Sequence, residues 1–193
     1  MEPRRDRARR ALVVPSHSRV LCVARSAEAR IPEPRLRELV PARCTAGGKA
    51  LLAGRDRWRA SLLSKPLRAY TDRTVTGARA VEREAAATRK SGYAIERGEH
   101  RAGIRAVAAP VHDRAGTTIA AIGVGTANGL DVGAISARVT RAAAALTLVL
   151  GAPAGSDEGS GDTVNAQSCR RIAALQSPTR EHEGECAAIR AFR

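Results

Sequence analysis

Aromatic side chains are nearly missing from this chain: Trp58, Tyr70, Tyr93 and Phe192 make up 2% of its 193 residues. Scattered singly, they offer no platform on which successive bases of a single strand could stack. Cysteine is also sparse. Cys22, Cys44, Cys169 and Cys186 show neither CxxC nor metal-ligand spacing, and no secretory signal precedes them. Reduced thiols in a cytoplasmic protein are therefore expected. Long apolar runs are absent as well. The longest, Ala142 to Leu150, falls short of the roughly 20 residues that a bilayer demands, so no membrane span is expected. Lysine is confined to Lys49, Lys65 and Lys90, which leaves thirty of the 33 basic residues as arginine.

The net charge of +14 suggests nucleic acid at first sight. The arginines, however, are dispersed, as a compositional bias toward arginine and alanine would leave them. Only Arg4-Arg5-Asp6-Arg7-Ala8-Arg9-Arg10 is dense enough to form a patch. Residues 1–10 read as a basic, disordered arm, solvated more often than not and touching phosphate, where it does, through charge alone. The length fits one ordinary domain with a core of its own.

Ala11-Leu12-Val13-Val14 and Val20-Leu21-Cys22-Val23-Ala24 flank Pro15-Ser16-His17-Ser18-Arg19 as a β-hairpin. Beyond that hairpin Pro32 and Pro34 interrupt the chain, and Leu36 to Val40 is expected to give at most a helical turn or an irregular stretch. Thr45 is placed to cap a helix containing Leu51 and Leu52, ended by Gly54 in a left-handed conformation. A second short helix runs from Trp58 to Leu63, before Pro66, and a loop over 67–76 uses Tyr70 as a packing anchor. Val81 to Ser91 is amphipathic with Val81, Ala85 and Thr88 on one side, Glu82 and Glu84 in its first turn, and Gly92 as its stop. Residues 92–103, with three glycines and two glutamates, read as a loop at a pocket rim. Ile104 to Val111 and Thr117 to Gly125 form a second hairpin around Asp113-Arg114-Ala115-Gly116. Asp131 begins a last helix with Ile135, Val139, Ala142, Ala143, Leu146 and Leu150 on its buried stripe and Gly151 as terminator. Strands first, helices next, strands again and a closing helix make an α+β fold with an antiparallel sheet. Residues 152–193 cannot bury enough apolar surface to order themselves and read as a disordered or weakly helical tail. His182 and Cys186 within it are taken as solvated rather than as metal ligands.

Several chemistries are disfavoured by their own spacing. Gly48-Lys49 resembles a phosphate-binding loop, but Arg43 stands where the first glycine belongs and Ala50 where the hydroxyl belongs. The small residues still let a helix start approach another element or an anion closely. Gly123-Val124-Gly125 lacks the third glycine of a dinucleotide fingerprint, and no acid stands some twenty residues on. His17, His100 and His112 with Glu96, Glu99 and Asp113 could in principle move protons, yet no triad or zinc spacing organises them. No catalytic activity, cofactor or metal is expected.

Three groups of residues occur in a shared order: Thr45-Ala46-Gly47-Gly48-Lys49-Ala50-Leu51-Leu52-Ala53; then Gly92-Tyr93-Ala94 with Glu99 and Gly103; then Ala108-Ala109-Pro110-Val111-His112-Asp113 with Gly116. Together they resemble the C-terminal effector-binding domain of IclR-type bacterial transcriptional regulators, over about residues 11–151. The resemblance implies a GAF-like fold, a curved antiparallel sheet of about six strands with helices on both sides. It also implies a cup on one face of that sheet for a small-molecule effector of the carboxylate or aromatic-acid class. Carried over position by position, the cup is expected at Ala46, Gly47, Glu96, Ala106, Gly123 and Gly125. The last two carry hydroxyls in family members that bind small carboxylates. Glycine there leaves backbone N–H groups alone as donors, so a changed ligand is expected over retention of a small 2-oxo acid.

In the family a winged helix-turn-helix and a linker helix precede this domain. Here about ten residues precede the first strand, so DNA is expected to be reached only through a missing domain or a full-length partner. The leading expectation is an effector-sensing, homo-oligomeric (dimer or tetramer) module of a regulator. A ligand-free remnant is the alternative, and a small-molecule enzyme the third.

Overall fold

The two hairpins anticipated from their turns both form, and they meet edge to edge. The computed structural model describes residues 9–25, 34–127 and 131–151. In chain order these give β1 (Arg9–Ser16), β2 (Arg19–Arg25), β3 (Leu39–Pro41), α1 (Ala46–Ala53), α2 (Asp56–Leu63), α3 (Ala78–Ser91), β4 (Ala94–Arg97), β5 (Arg105–His112), β6 (Thr118–Thr126) and α4 (Val132–Gly151). Leu12 of β1 pairs with Ile122 of β6. That pairing fuses the hairpins into one antiparallel sheet of order β3-β2-β1-β6-β5-β4, curled into a half-barrel.

Strand alternation sends side chains to two cores. Val13, Ala108 and Ala121 join the cluster beneath α1 with Ala50, Leu51 and Leu52. Leu12, Val14, Ala109 and Ile122 join the opposite cluster with Val139, Ala143 and Leu146 of α4. Burial on both faces explains why β5 and β6 read as nearly continuous apolar runs. Asp131 caps α4, its Oδ1 accepting the Ala134 N–H at 3.2 Å. By length and composition Val132–Leu150 could cross a bilayer, longer than the Ala142–Leu150 run suggested. Val139, Ala143 and Leu146 pack one face of it on the sheet, while most of that span is not buried.

Five local expectations are corrected. β1 begins at Arg9, so Arg9 and Arg10 pair with β6 rather than belonging to an arm. Leu39–Pro41 is a strand on β2, not a helical turn, and Ala94–Arg97 is a strand on β5 rather than loop. Gly54 ends α1 at φ −100°, outside the left-handed region. Glycine is required there for room, since a Cβ would lie 1.9 Å from Thr118 Oγ1. Helix α3 starts at Ala78, which moves Glu82 and Glu84 past its first turn. They serve ion pairs instead: Glu82 with Arg59 at 2.9 Å and Glu84 with Lys49 at 3.1 Å. Gly92 stops α3 in the left-handed conformation as expected, at φ 79°. Residues 1–8, Asn128 to Leu130 and the tail from 152, with His182 and Cys186, lie outside the described residues.

Candidate functional site

Thr45 fixes where α1 begins. Its hydroxyl donates to the Pro41 carbonyl at 2.8 Å and accepts the Gly48 N–H at 3.4 Å. Gly48 then lets the helix press on the preceding loop, because a Cβ there would stand 1.9 Å from the Ala42 carbonyl oxygen. The close approach foreseen for these small residues is thus to backbone. It aims the first residues of α1, Ala46 and Gly47, at the concave face of the sheet.

Between that helix start and the sheet lies a cavity of about 80 Å³, open to solvent on one side. Ala46 and Gly47 form one end. Gly123 and Gly125 of β6 make the floor with Ala106 of β5, and Glu96 of β4 closes the side. All six sequence-derived positions therefore line one cavity. They converge because Gly125 pairs with Ala106 and Ala106 pairs with Glu96, which sets three neighbouring strands in register. The two glycines differ in kind. A Cβ on Gly125 would meet Ala106 Cβ at 3.6 Å, an ordinary contact, whereas one on Gly123 would meet Ala108 Cβ and the Val107 carbonyl at 2.9 Å. Gly125→Ser is expected to change stability by under about 0.5 kcal/mol, and Gly123→Ser to cost about 1–3 kcal/mol, as urea denaturation would show.

Glu96 is 5% exposed. Its Oε1 accepts the His100 N–H at 3.3 Å, and the Ala46 N–H also bonds its carboxylate. Burial pushes this carboxyl up to about 7 against the pull of those two N–H groups. A raised acid contributes stability that is fully present below its unfolded value of 4.5 and is lost as pH rises through 7. At pH 8 the ionised group costs on the order of 3 kcal/mol. Glu96→Gln should therefore gain melting temperature over the parent at pH 8 and much less at pH 4.5, a difference read from paired thermal melts.

The mouth is a loop that sequence reading left without a mechanism. Gly98 and Gly103, at φ 76° and 80°, bend it back over the cavity so that His100, Arg101 and Ile104 reach the lining. Thr74 Oγ1 donates to the Glu99 carbonyl at 2.6 Å and Thr71 Oγ1 to that of Gly98 at 2.8 Å. Underneath, buried Lys49 donates to Glu99 Oε1 at 2.6 Å and to the Ile95 carbonyl at 3.2 Å. Lys49 thus holds a carboxylate, not a phosphate. Its signal in the sequence was a single lysine inside an apolar helix of an arginine-rich chain. The His100 ring meets Tyr70 edge-on at 5.3 Å, and burial lowers its pKa, which favours neutral imidazole. Tyr70 is itself flanked by Arg43 and half-open to solvent, less an anchor than a cover for His100. Of the other acid/base candidates, His112 bonds Thr118 Oγ1 away from the cavity. The buried thiol of Cys44 is pushed up to about 12 by burial and stays protonated. Among the described residues no cluster of three His, Cys, Asp or Glu could hold a metal ion.

The family model described as "Bacterial transcriptional regulator IclR C-terminal" matches residues 19–142. The chain is 42% identical over 90 residues to the "Probable transcriptional regulator SauR" of Cupriavidus necator, covering 44% of this chain and 34% of that protein. It thus spans about a third of the length of the curated relatives it matches. The crystal structure of the Thermotoga maritima IclR superposes with TM-score 0.69 at 26% identity, covering 77% of this chain and 63% of that one. An IclR homologue from Microbacterium hydrocarbonoxydans, solved in complex with 4-hydroxybenzoate, superposes with TM-score 0.68 at 29% identity, covering 76% and 62%.

Proposed function

Because the chain belongs to the IclR family of bacterial transcriptional regulators, by way of that family's C-terminal domain, we propose that residues 11–151 sense a small-molecule effector held in the cavity under α1. One observation carries the reading: Ala46, Gly47, Glu96, Ala106, Gly123 and Gly125, drawn from four separate segments, wall a single cavity beside a helix start. Its lining is mostly apolar with one buried acid, as expected of a site for a small organic molecule. The aromatic acid bound by the Microbacterium homologue makes hydroxylated benzoates the first class to test. Binding, not catalysis, is the chemistry this lining supports.

The effector's signal passes to other chains, with a homo-oligomer as the carrier and DNA contact assigned to a domain other than 11–151. The outward face of α4 supports this, with Leu148 77% exposed beside exposed Ala144 and Ala145. A ligand shifts such an assembly only by its preference for one arrangement, typically about 1–3 kcal/mol. A thermal-shift screen of benzoates and phenols tests the site. A ligand at about a hundred times its Kd should stabilise by about 2.7 kcal/mol, and light scattering with and without that ligand reads the assembly. A folded chain that responds to no compound would favour the ligand-free remnant.

A further inference from the structure

The most buried polar side chain of the cavity lining is an acid, and it takes up the first N–H of the helix start, one of the donors that an anion would use. Anions commonly settle on the free N–H groups and positive dipole end of a helix start. Here the Ala46 N–H, first in α1, is bonded by the carboxylate of Glu96, which also accepts the His100 N–H at 3.3 Å. Among the described residues side-chain donors for a carboxylate are few, and the Thr45 hydroxyl already donates to the Pro41 carbonyl at 2.8 Å. Gly123 and Gly125 bring no hydroxyl, and a side chain at 123 would collide with Ala108. From β1 and β6 the cavity is faced by Ala11, Val13, Ala121 and Val124 besides those glycines, none of them charged.

Of the charges near Glu96, Glu99 adds to the strain on its carboxylate and Lys49 offsets it only in small part. Lys49 of α1 lies behind it, engaged by Glu99 at 2.6 Å and by Glu84 of α3 at 3.2 Å. Cys44, just before α1, is a protonated thiol. Arg97 on the same strand alternates to the exposed side and pairs in register with exposed Arg105 of β5. His100 favours its neutral form. Arg101 lies in the lining at the exposed mouth.

The geometry points to a guest that is uncharged at its buried end: a small phenol-like molecule donating its hydroxyl to the Glu96 carboxylate above the glycine floor, any carboxylate remaining at the mouth beside Arg101. This rests on the effector-site reading and narrows it. A carboxylate pushed inward would face a second carboxylate, and two like charges in one buried site force one of them to keep a proton. Such a guest enters with proton uptake, which is easy below the pH where Glu96 ionises and harder above it.

Ligand-observed NMR titration of the 193-residue chain with phenol, benzoate and 4-hydroxybenzoate at pH 6 and pH 8 separates these cases. Phenol is expected to bind at least as tightly at pH 8 as at pH 6, and 4-hydroxybenzoate to behave like phenol. Benzoate, which keeps its carboxylate at the mouth and brings no hydroxyl to Glu96, is expected to bind several-fold more weakly than 4-hydroxybenzoate at pH 8. Glu96→Gln, checked for folding by its melting curve, should narrow the gap between benzoate and 4-hydroxybenzoate and weaken phenol several-fold at pH 8. Benzoate binding as tightly as 4-hydroxybenzoate at pH 8, or phenol indifferent to Glu96→Gln, would overturn the assignment while leaving the effector site in place. Failure of all three probes to bind the folded parent at millimolar concentration would instead overturn the effector site, and this inference with it.

Discussion

Lys49→Met is expected to cost about 3–5 kcal/mol of folding free energy at pH 8, the range found when one partner of a buried ion pair is removed. Lys49 is 5% exposed, and so is Glu99, whose carboxylate it meets at 2.6 Å. Methionine fills the space but leaves Glu99 ionised, with Glu84 close by and no cation between them. Burial already raises the Glu99 carboxyl even with Lys49 beside it. Without the ammonium it rises further and takes up a proton at higher pH. A carboxyl so raised contributes stability that is present below its unfolded value and lost as pH climbs through the folded one. The deficit of Lys49→Met should therefore shrink from pH 8 toward pH 5. Adding Glu99→Gln should recover much of it, because the orphaned charge and not the lost pair is what costs. Urea denaturation followed by far-UV circular dichroism at both pH values gives the numbers. A loss under about 1 kcal/mol with no pH trend would mean that Lys49 is not holding the mouth loop by charge.

Gly48→Ala tests the other fixed point of the site, and its sign separates two opposed effects. In a helix interior alanine is normally preferred to glycine by about 0.8–1.0 kcal/mol. Against that, the added Cβ would stand 1.9 Å from the Ala42 carbonyl oxygen and 2.4 Å from its C and Cα. Backbone cannot swing aside as a side chain can, so α1 must lift off the loop that precedes it. A net loss of about 3 kcal/mol is expected, at the upper end of overpacking costs. Gly47→Ala provides the internal comparison. Its Cβ would meet only Val13 Cγ2, at 2.6 Å, a methyl that a rotamer change can move, so its loss should be clearly smaller. Equal losses from the two changes would mean that the helix start, not the Ala42 contact, decides the outcome. Since Ala46 and Gly47 form one end of the cavity, Gly48→Ala should also lower affinity for any ligand bound there.

What the residues alone determined is whatever rests on local period and turn chemistry. The two long hairpins, the left-handed stop at Gly92 and the core stripe of α4 through Val139, Ala143 and Leu146 were all readable, because each is a repeat or cap within a few residues. The six positions that line the cavity were singled out through family resemblance; pattern by itself marked only 92–103 as a rim. Tertiary structure decided the rest. Strands β3 and β4, three and four residues long, are too short to show a period and exist because β2 and β5 offer them an edge. Lys49 and Glu99 stand fifty positions apart, so their pairing is invisible until α1 and the loop after β4 are stacked. The state of Glu96 depends on the same stacking: a carboxyl's charge is set by the water it loses and the donors it meets, and the fold alone brings the Ala46 and His100 N–H groups to it.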